Sequence, residues 1–101
     1  MLKKAKILET EFGIEAMQRL DALALFSEGG EGVTRRYATK EHRQAADLIQ
    51  SWMRDAGMTT RMDAVGNVIG RYEAIITNAP ALIIGSHQDT VRQGGKYDGS
   101  Y

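Results

Sequence analysis

His87, Asp89 and Asp98 are the residues of this sequence whose types and spacing best suit chemistry. They stand in Leu82-Ile83-Ile84-Gly85-Ser86-His87-Gln88-Asp89-Thr90-Val91-Arg92-Gln93-Gly94-Gly95-Lys96-Tyr97-Asp98-Gly99. An apolar run ends in a glycine, and His87 falls just past it, where open α/β sheets place ligands at their strand ends. Asp89, two positions on, is too close to share one ion easily with His87. It can instead accept the other imidazole N–H, which fixes the tautomer, aims the ring and raises its basicity. Thr90 is placed to support Asp89 by a local hydrogen bond. Gly94 and Gly95 let the chain fold back sharply, and the return brings Asp98 towards the same centre. A carboxylate has two oxygens and can bridge two cations about 3.5–4 Å apart, a pairing that activates water and polarises a carbonyl. The same residues also have a plainer reading. His87 is then a strand-end histidine satisfied by Asp89 with no metal, and Asp98-Gly99 is a turn.

Other chemistries find less support. No Lys-Ser/Thr follows Gly94-Gly95, which argues against a phosphate-binding P-loop. Ser86 directly precedes His87 with no Gly-x-Ser-x-Gly context, which argues against a serine triad. The absence of cysteine excludes disulfides, thiolate zinc sites and a cysteine nucleophile, so any metal takes imidazole and carboxylate ligands. It also suits a reducing compartment. Thirteen basic and thirteen acidic residues cancel, leaving no long-range field to draw the chain to nucleic acid or anionic lipid. No stretch approaches ~18 consecutive apolar residues, and no signal-like segment follows the basic start. The expectation is a cytoplasmic protein with neither nucleic acid nor membrane as a partner.

The elements that must position these residues follow from pattern. At 101 residues, 43% hydrophobic and 26% charged, the chain reads as one globular domain or part of one. A helix is predicted from about Ala5 to Phe26, with Ala16, Met17, Leu20, Leu23 and Ala24 as its apolar stripe. Gly13 weakens it and could mark a later start. Ser27 to Gly32 reads as a loop. A second helix is predicted from an N-cap at Thr39 to about Asp55. It carries Glu41 in its first turn, a stripe of Ala45, Leu48, Ile49, Trp52, Met53 and Ala56, and Gly57 as its left-handed stop. His42 is assigned to its solvent side and Trp52 to the core. Arg35-Arg36 beside Tyr37 reads as a solvated loop, with contact to an anionic ligand as the other reading. Thr60–Val65 and Val68–Tyr72 flank Gly66-Asn67 as a hairpin. Residues 74–80 form a loop. Ala81–Gly85, continuous and apolar, reads as a strand buried on both faces. The order is helix, loop, helix, hairpin, buried central strand, an α/β layered arrangement.

The wording of these segments is specific. Gly85-Ser86-His87-Gln88-Asp89-Thr90-Val91 with Gly94-Gly95-Lys96-Tyr97-Asp98-Gly99 resembles the first metal-binding block of the M20-type metallo-amidohydrolases. The branch is the one holding N-carbamoyl-L-amino-acid hydrolases, ureidopropionases and allantoate amidohydrolases. Gly32-Val33-Thr34-Arg35, Trp52-Met53-Arg54-Asp55-Ala56-Gly57-Met58 and Asp63-Ala64-Val65-Gly66-Asn67-Val68-Ile69-Gly70-Arg71 are similar to its early loop, second-helix end and hairpin, in the same order. Thr90-Val91-Arg92-Gln93-Gly94-Gly95-Lys96-Tyr97 most resembles allantoate amidohydrolases.

The resemblance implies His87 and Asp98 as metal ligands, Asp98 bridging, and Asp89 as the orienting carboxylate of the catalytic centre. It implies two divalent ions (zinc or manganese, with cobalt admissible) and hydrolysis of a linear amide C–N bond in a small ureido substrate. Allantoate comes first as substrate and an N-carbamoyl-L-amino acid second. It further implies a homodimeric enzyme of which residues 1–101 are the N-terminal portion of the catalytic domain. The dimerisation domain, the catalytic glutamate and the other ligands then lie beyond, and a helix begins near Ser100-Tyr101. On that reading the 101 residues alone are inactive. The competing reading is a small non-catalytic α/β interaction module.

Overall fold

A computed structural model describes residues 2–98, with side chains from Thr10 onward. Gly99 and Ser100-Tyr101, where a helix is expected to begin, lie outside the described residues. Among the described residues four elements follow one another: α1 (Leu2–Ala24), α2 (Lys40–Asp55), β1 (Thr59–Met62) and β2 (Val68–Arg71).

Helix α1 runs unbroken through Gly13, where a Cβ would meet nothing within 4 Å. Glycine there lowers helix propensity without creating a structural break. Only the C-terminal part of the expected stripe is buried. Leu20 and Leu23 are in the core, while Met17 is 40% exposed.

Helix α2 has the predicted start and stop. The Thr39 side chain accepts a hydrogen bond from the His42 backbone N–H at 3.2 Å, satisfying one of the orphan donors of the first turn. Glu41 and Arg54 lie at the ends the helix dipole favours, and Gly57 takes a left-handed φ of +94°. Thr39→Ala is expected to cost about 1 kcal/mol, read as a lower urea midpoint with an unchanged slope. The placement of His42 on the solvent side is corrected. It is buried with Ala45 and Ala46, at the i, i+3, i+4 spacing of one helix face, and its ring meets the edge of Tyr37 at 5.3 Å. Trp52 is half-buried, with the Arg19 guanidinium 5.2 Å from its ring centroid, a cation–π contact between the two helices.

β1 and β2 pair antiparallel, with Met62 opposite Val68 at the closed end. The predicted reversal at Gly66-Asn67 is longer than two residues and occupies 63–67. Asp63 explains the length. Its carboxylate accepts from the backbone N–H groups of Val65 (3.1 Å) and Asn67 (2.9 Å) and from the Asn67 side chain (2.8 Å). These bonds, those of Asn67 foremost, hold its carboxyl below the usual range. The hairpin packs on α2 so closely that a Cβ at Gly70 would stand 2.7 Å from Met53 Sδ.

Ala81–Gly85 departs from expectation. The segment has an extended, apolar sequence but pairs with no described strand, and Leu82, Ile83 and Ile84 are 86, 90 and 86% exposed. A central strand needs a ladder partner on each side, and the only sheet among the described residues is the β1–β2 hairpin. No helix among the described residues is long and apolar enough to cross a membrane.

Candidate metal centre

The sequence after the apolar segment is fixed to the loop between α1 and α2. Val33 and Gly94 form an antiparallel bridge through two backbone hydrogen bonds of 2.8 Å. Next to it Thr90 N–H donates to Arg35 O (2.8 Å), and Arg35 N–H donates to Thr90 Oγ1 (2.9 Å). Gln93 N–H donates to Thr34 Oγ1 at 2.9 Å. Lys96 reaches back to Asp21 on α1 at 3.1 Å. Glu28 closes the outer side of the loop, taking bonds from the backbone and side chain of Arg36. That guanidinium holds its carboxyl down to about 2. Residues from opposite ends of the sequence thus make one framework with Thr90 buried inside it.

His87 and Asp89 stand together on this framework. His87 Nδ1 lies 3.0 Å from the Asp89 backbone oxygen and 3.3 Å from its Oδ1. A carbonyl only accepts, so Nδ1 carries a proton, and in the neutral ring the lone pair falls on Nε2. The pairing of His87 with Asp89 is thus as expected, but the nearer acceptor is the main chain. The imidazole is largely exposed, which suits a ligand donating outward through Nε2.

The expected support of Asp89 by Thr90 is corrected. Thr90 Oγ1 lies 3.0 Å from Val33 O and 2.7 Å from Val91 O, so its proton serves the loop framework.

Asp98 is folded back onto its own loop, where its side chain bonds Val91 rather than meeting His87 or Asp89, and by means other than those expected. The left-handed residue of the return is Gln93, at φ +53°, and neither Gly94 nor Gly95 has a positive φ. Gly94 provides close approach. A Cβ there would meet Asp98 Oδ2 at 2.8 Å and Val33 O at 3.3 Å. That oxygen of Asp98 accepts from Val91 N–H at 3.1 Å, and Asp98 N–H donates to Gly95 O at 3.1 Å. Asp98 therefore closes the 91–98 loop. Among the described residues no group of three His, Cys, Asp or Glu side chains is gathered closely enough to hold a metal ion. By donor chemistry one imidazole, His87, and one carboxylate, Asp98, would suit a divalent cation of zinc or manganese type.

Arg35 is the residue sequence reasoning missed. Expected in a solvated loop, it is 1% exposed, the largest fully buried side chain among the described residues. Its Nε–H donates to Gln88 O at 2.9 Å. Its Nη1 donates to Leu23 O at 2.8 Å and to Phe26 O at 3.1 Å. Burial pushes its pKa down, and the nearby charges of Asp98 and Asp89 pull it back up. No local pattern distinguishes it from the exposed Arg36, since its partner Gln88 is 53 positions away.

Comparison with known proteins gives concordant findings. Over 69 residues the chain is 49% identical to an N-carbamoyl-L-amino-acid amidohydrolase of Pseudomonas sp. (strain NS671), covering 68% of this chain and 17% of that one. Over 86 residues it is 44% identical to allantoate deiminase 1 of Glycine max, covering 85% of this chain and 18% of that one. A crystal structure of a hydantoinase/carbamoylase family amidase from Burkholderia ambifaria superposes with a TM-score of 0.78 at 39% identity, covering 86% of this chain and 22% of that one. The chain thus spans about a fifth of the length of the proteins it matches. No protein-family model matches it.

Proposed function

Since the chain belongs, over its aligned length, to the family of the N-carbamoyl-L-amino-acid amidohydrolases and allantoate deiminases, we propose that it contributes one wall of a metal-dependent hydrolytic site. The site cleaves a linear amide C–N bond of a small ureido compound, allantoate first and an N-carbamoyl-L-amino acid second. The observation that carries this reading is the His87–Asp89 pair, with Nδ1 held on Asp89 and Nε2 left to donate.

In this reading His87 would hold a divalent ion through Nε2. Asp89 would fix the ring, and Asp98 would supply a further carboxylate ligand. Bound ions of this kind lower the pKa of a water and polarise the scissile carbonyl. The chain's own part is to present its ligands from a framework that does not yield when the substrate arrives. The 101 residues act as the N-terminal portion of a catalytic α/β domain in a homodimeric cytoplasmic enzyme, and are inactive alone. Two observations support its being part of a larger domain. The aligned stretch makes up about a fifth of the matched proteins, and the apolar Leu82–Ile84 segment pairs with no described strand.

The test is hydrolysis of allantoate and of N-carbamoyl-L-amino acids by the full-length protein before and after chelation. Activity is expected to vanish with the metal and to return with added Mn²⁺ or Zn²⁺. Full activity in exhaustively chelated protein sinks the reading.

A further inference from the structure

We propose that Arg35 is a positioning residue for the His87–Asp89 pair, acting through the peptide that joins them; this rests on the metal-site reading above. The argument begins at the end of α1. The last carbonyls of a helix lack internal partners and are ordinarily satisfied by water or by a left-handed cap. Here the Leu23 carbonyl, which also accepts from Phe26 N–H at 3.0 Å, and the carbonyl of Phe26, two residues past the helix, both take a bond from one edge of the Arg35 guanidinium. Another donor of the same plane takes Gln88 O, the carbonyl between His87 and Asp89. A planar, rigid fork can join a helix end to a distant peptide in this way, and a lysine ammonium cannot.

The charge strengthens the case. A buried cation is costly, and a well-packed apolar residue often serves stability as well or better. The acids whose fields offset this cation are Asp89 and Asp98, two of the three residues assigned to the site. The backbone of Arg35 is also paired in both directions with Thr90, so residues 88–90 are held from the side chain and the main chain together. Arg35 thus ties the residue after His87 to a helix that itself carries no ligand.

The experiment uses the full-length protein. Arg35→Lys and Arg35→Gln are titrated with Mn²⁺ after chelation and assayed for kcat and KM, with Arg36→Lys as the exposed neighbour. Folding is checked by circular dichroism. The expected result is a Mn²⁺ dissociation constant raised about 10-fold or more in the folded Arg35 variants. The loss in kcat should exceed the change in KM, and Arg36→Lys should match wild type. A purely structural role lowers the melting temperature without moving metal affinity. Folded Arg35 variants with wild-type Mn²⁺ affinity, alongside a His87→Ala that loses it, overturn the proposal and leave the metal-site reading intact. Weakened Mn²⁺ binding in those variants of a protein that hydrolyses neither ureide supports it and overturns the substrate reading instead.

A second measurement needs no variant. In the wild-type protein the Arg35 Nε–H signal, followed by ¹⁵N NMR, is expected to shift when Zn²⁺ is added. A signal that does not respond overturns the proposal.

Discussion

His87→Ala in the full-length protein is expected to reduce hydrolysis of allantoate and N-carbamoyl-L-amino acids to the uncatalysed background. Removing the imidazole removes the outward lone pair, and nothing adjacent replaces it, since Gln88 and Ser86 carry no nitrogen base. Asp89→Asn tests the other half of the pair. His87 Nδ1 donates mainly to the Asp89 backbone oxygen at 3.0 Å, which the substitution leaves in place. The ring therefore keeps one anchor and loses the neighbouring negative charge at 3.3 Å. Metal affinity is expected to fall about 10–100-fold, the range found when a partner of a ligating histidine is removed. Excess metal should restore much of the activity of Asp89→Asn and none of that of His87→Ala. Wild-type turnover in His87→Ala means that the imidazole is no ligand.

Gly32→Ala should be the most damaging single-methyl addition in the loop framework. Gly32 has a left-handed φ of +66°, and a Cβ built there lies 2.7 Å from Gly94 O and 3.2 Å from Gln93 O. The obstacle is backbone, so no rotamer change relieves it. The Val33–Gly94 bridge must open or the 91–98 loop must shift. The expected loss is about 2–4 kcal/mol, combining strain at positive φ with the strained or broken bridge. Gly30→Ala provides the internal standard. Gly30 also has a left-handed φ, +80°, but a Cβ there meets nothing within 4 Å, so its loss should be about 1 kcal/mol. Equal losses for the two, measured by denaturant unfolding, would show that the close approach of residues 32 and 94 contributes nothing to stability.

What the sequence disclosed, and what it withheld, divides by the range of the interactions. Helix α2 was readable because its start, its stop and its stripe are written within twenty residues, from Thr39 to Gly57. The hairpin was readable in outline, but Asp63 lengthened its turn through bonds that residue type alone does not announce. His42 was legible and misplaced. Counting the helix face back from Ala45 and Ala46 puts position 42 on the buried side, and the polarity of the residue outweighed its register. His87 and Asp89 were picked out by spacing and do meet. Arg35 had no local sign, because its partners are set by how the chain closes on itself over 53 positions. Leu82–Ile84 showed the opposite gap. The apolar run was plain, but composition cannot name the neighbour that covers it.

The guanidinium that ends α1 also decides where this protein can change length. Surface loops ordinarily accept inserted residues with little penalty. Between Phe26 and Arg35 that freedom is confined to the exposed tip at Gly29, Gly30 and Glu31. One residue added after Val33 would swing Arg35 away from the Leu23 and Phe26 carbonyls and slip its pairing with Thr90 at the same moment. Natural variation in loop length should therefore gather at the glycines, while the four residues from Val33 to Arg36 keep their count in any descendant that keeps its ligands.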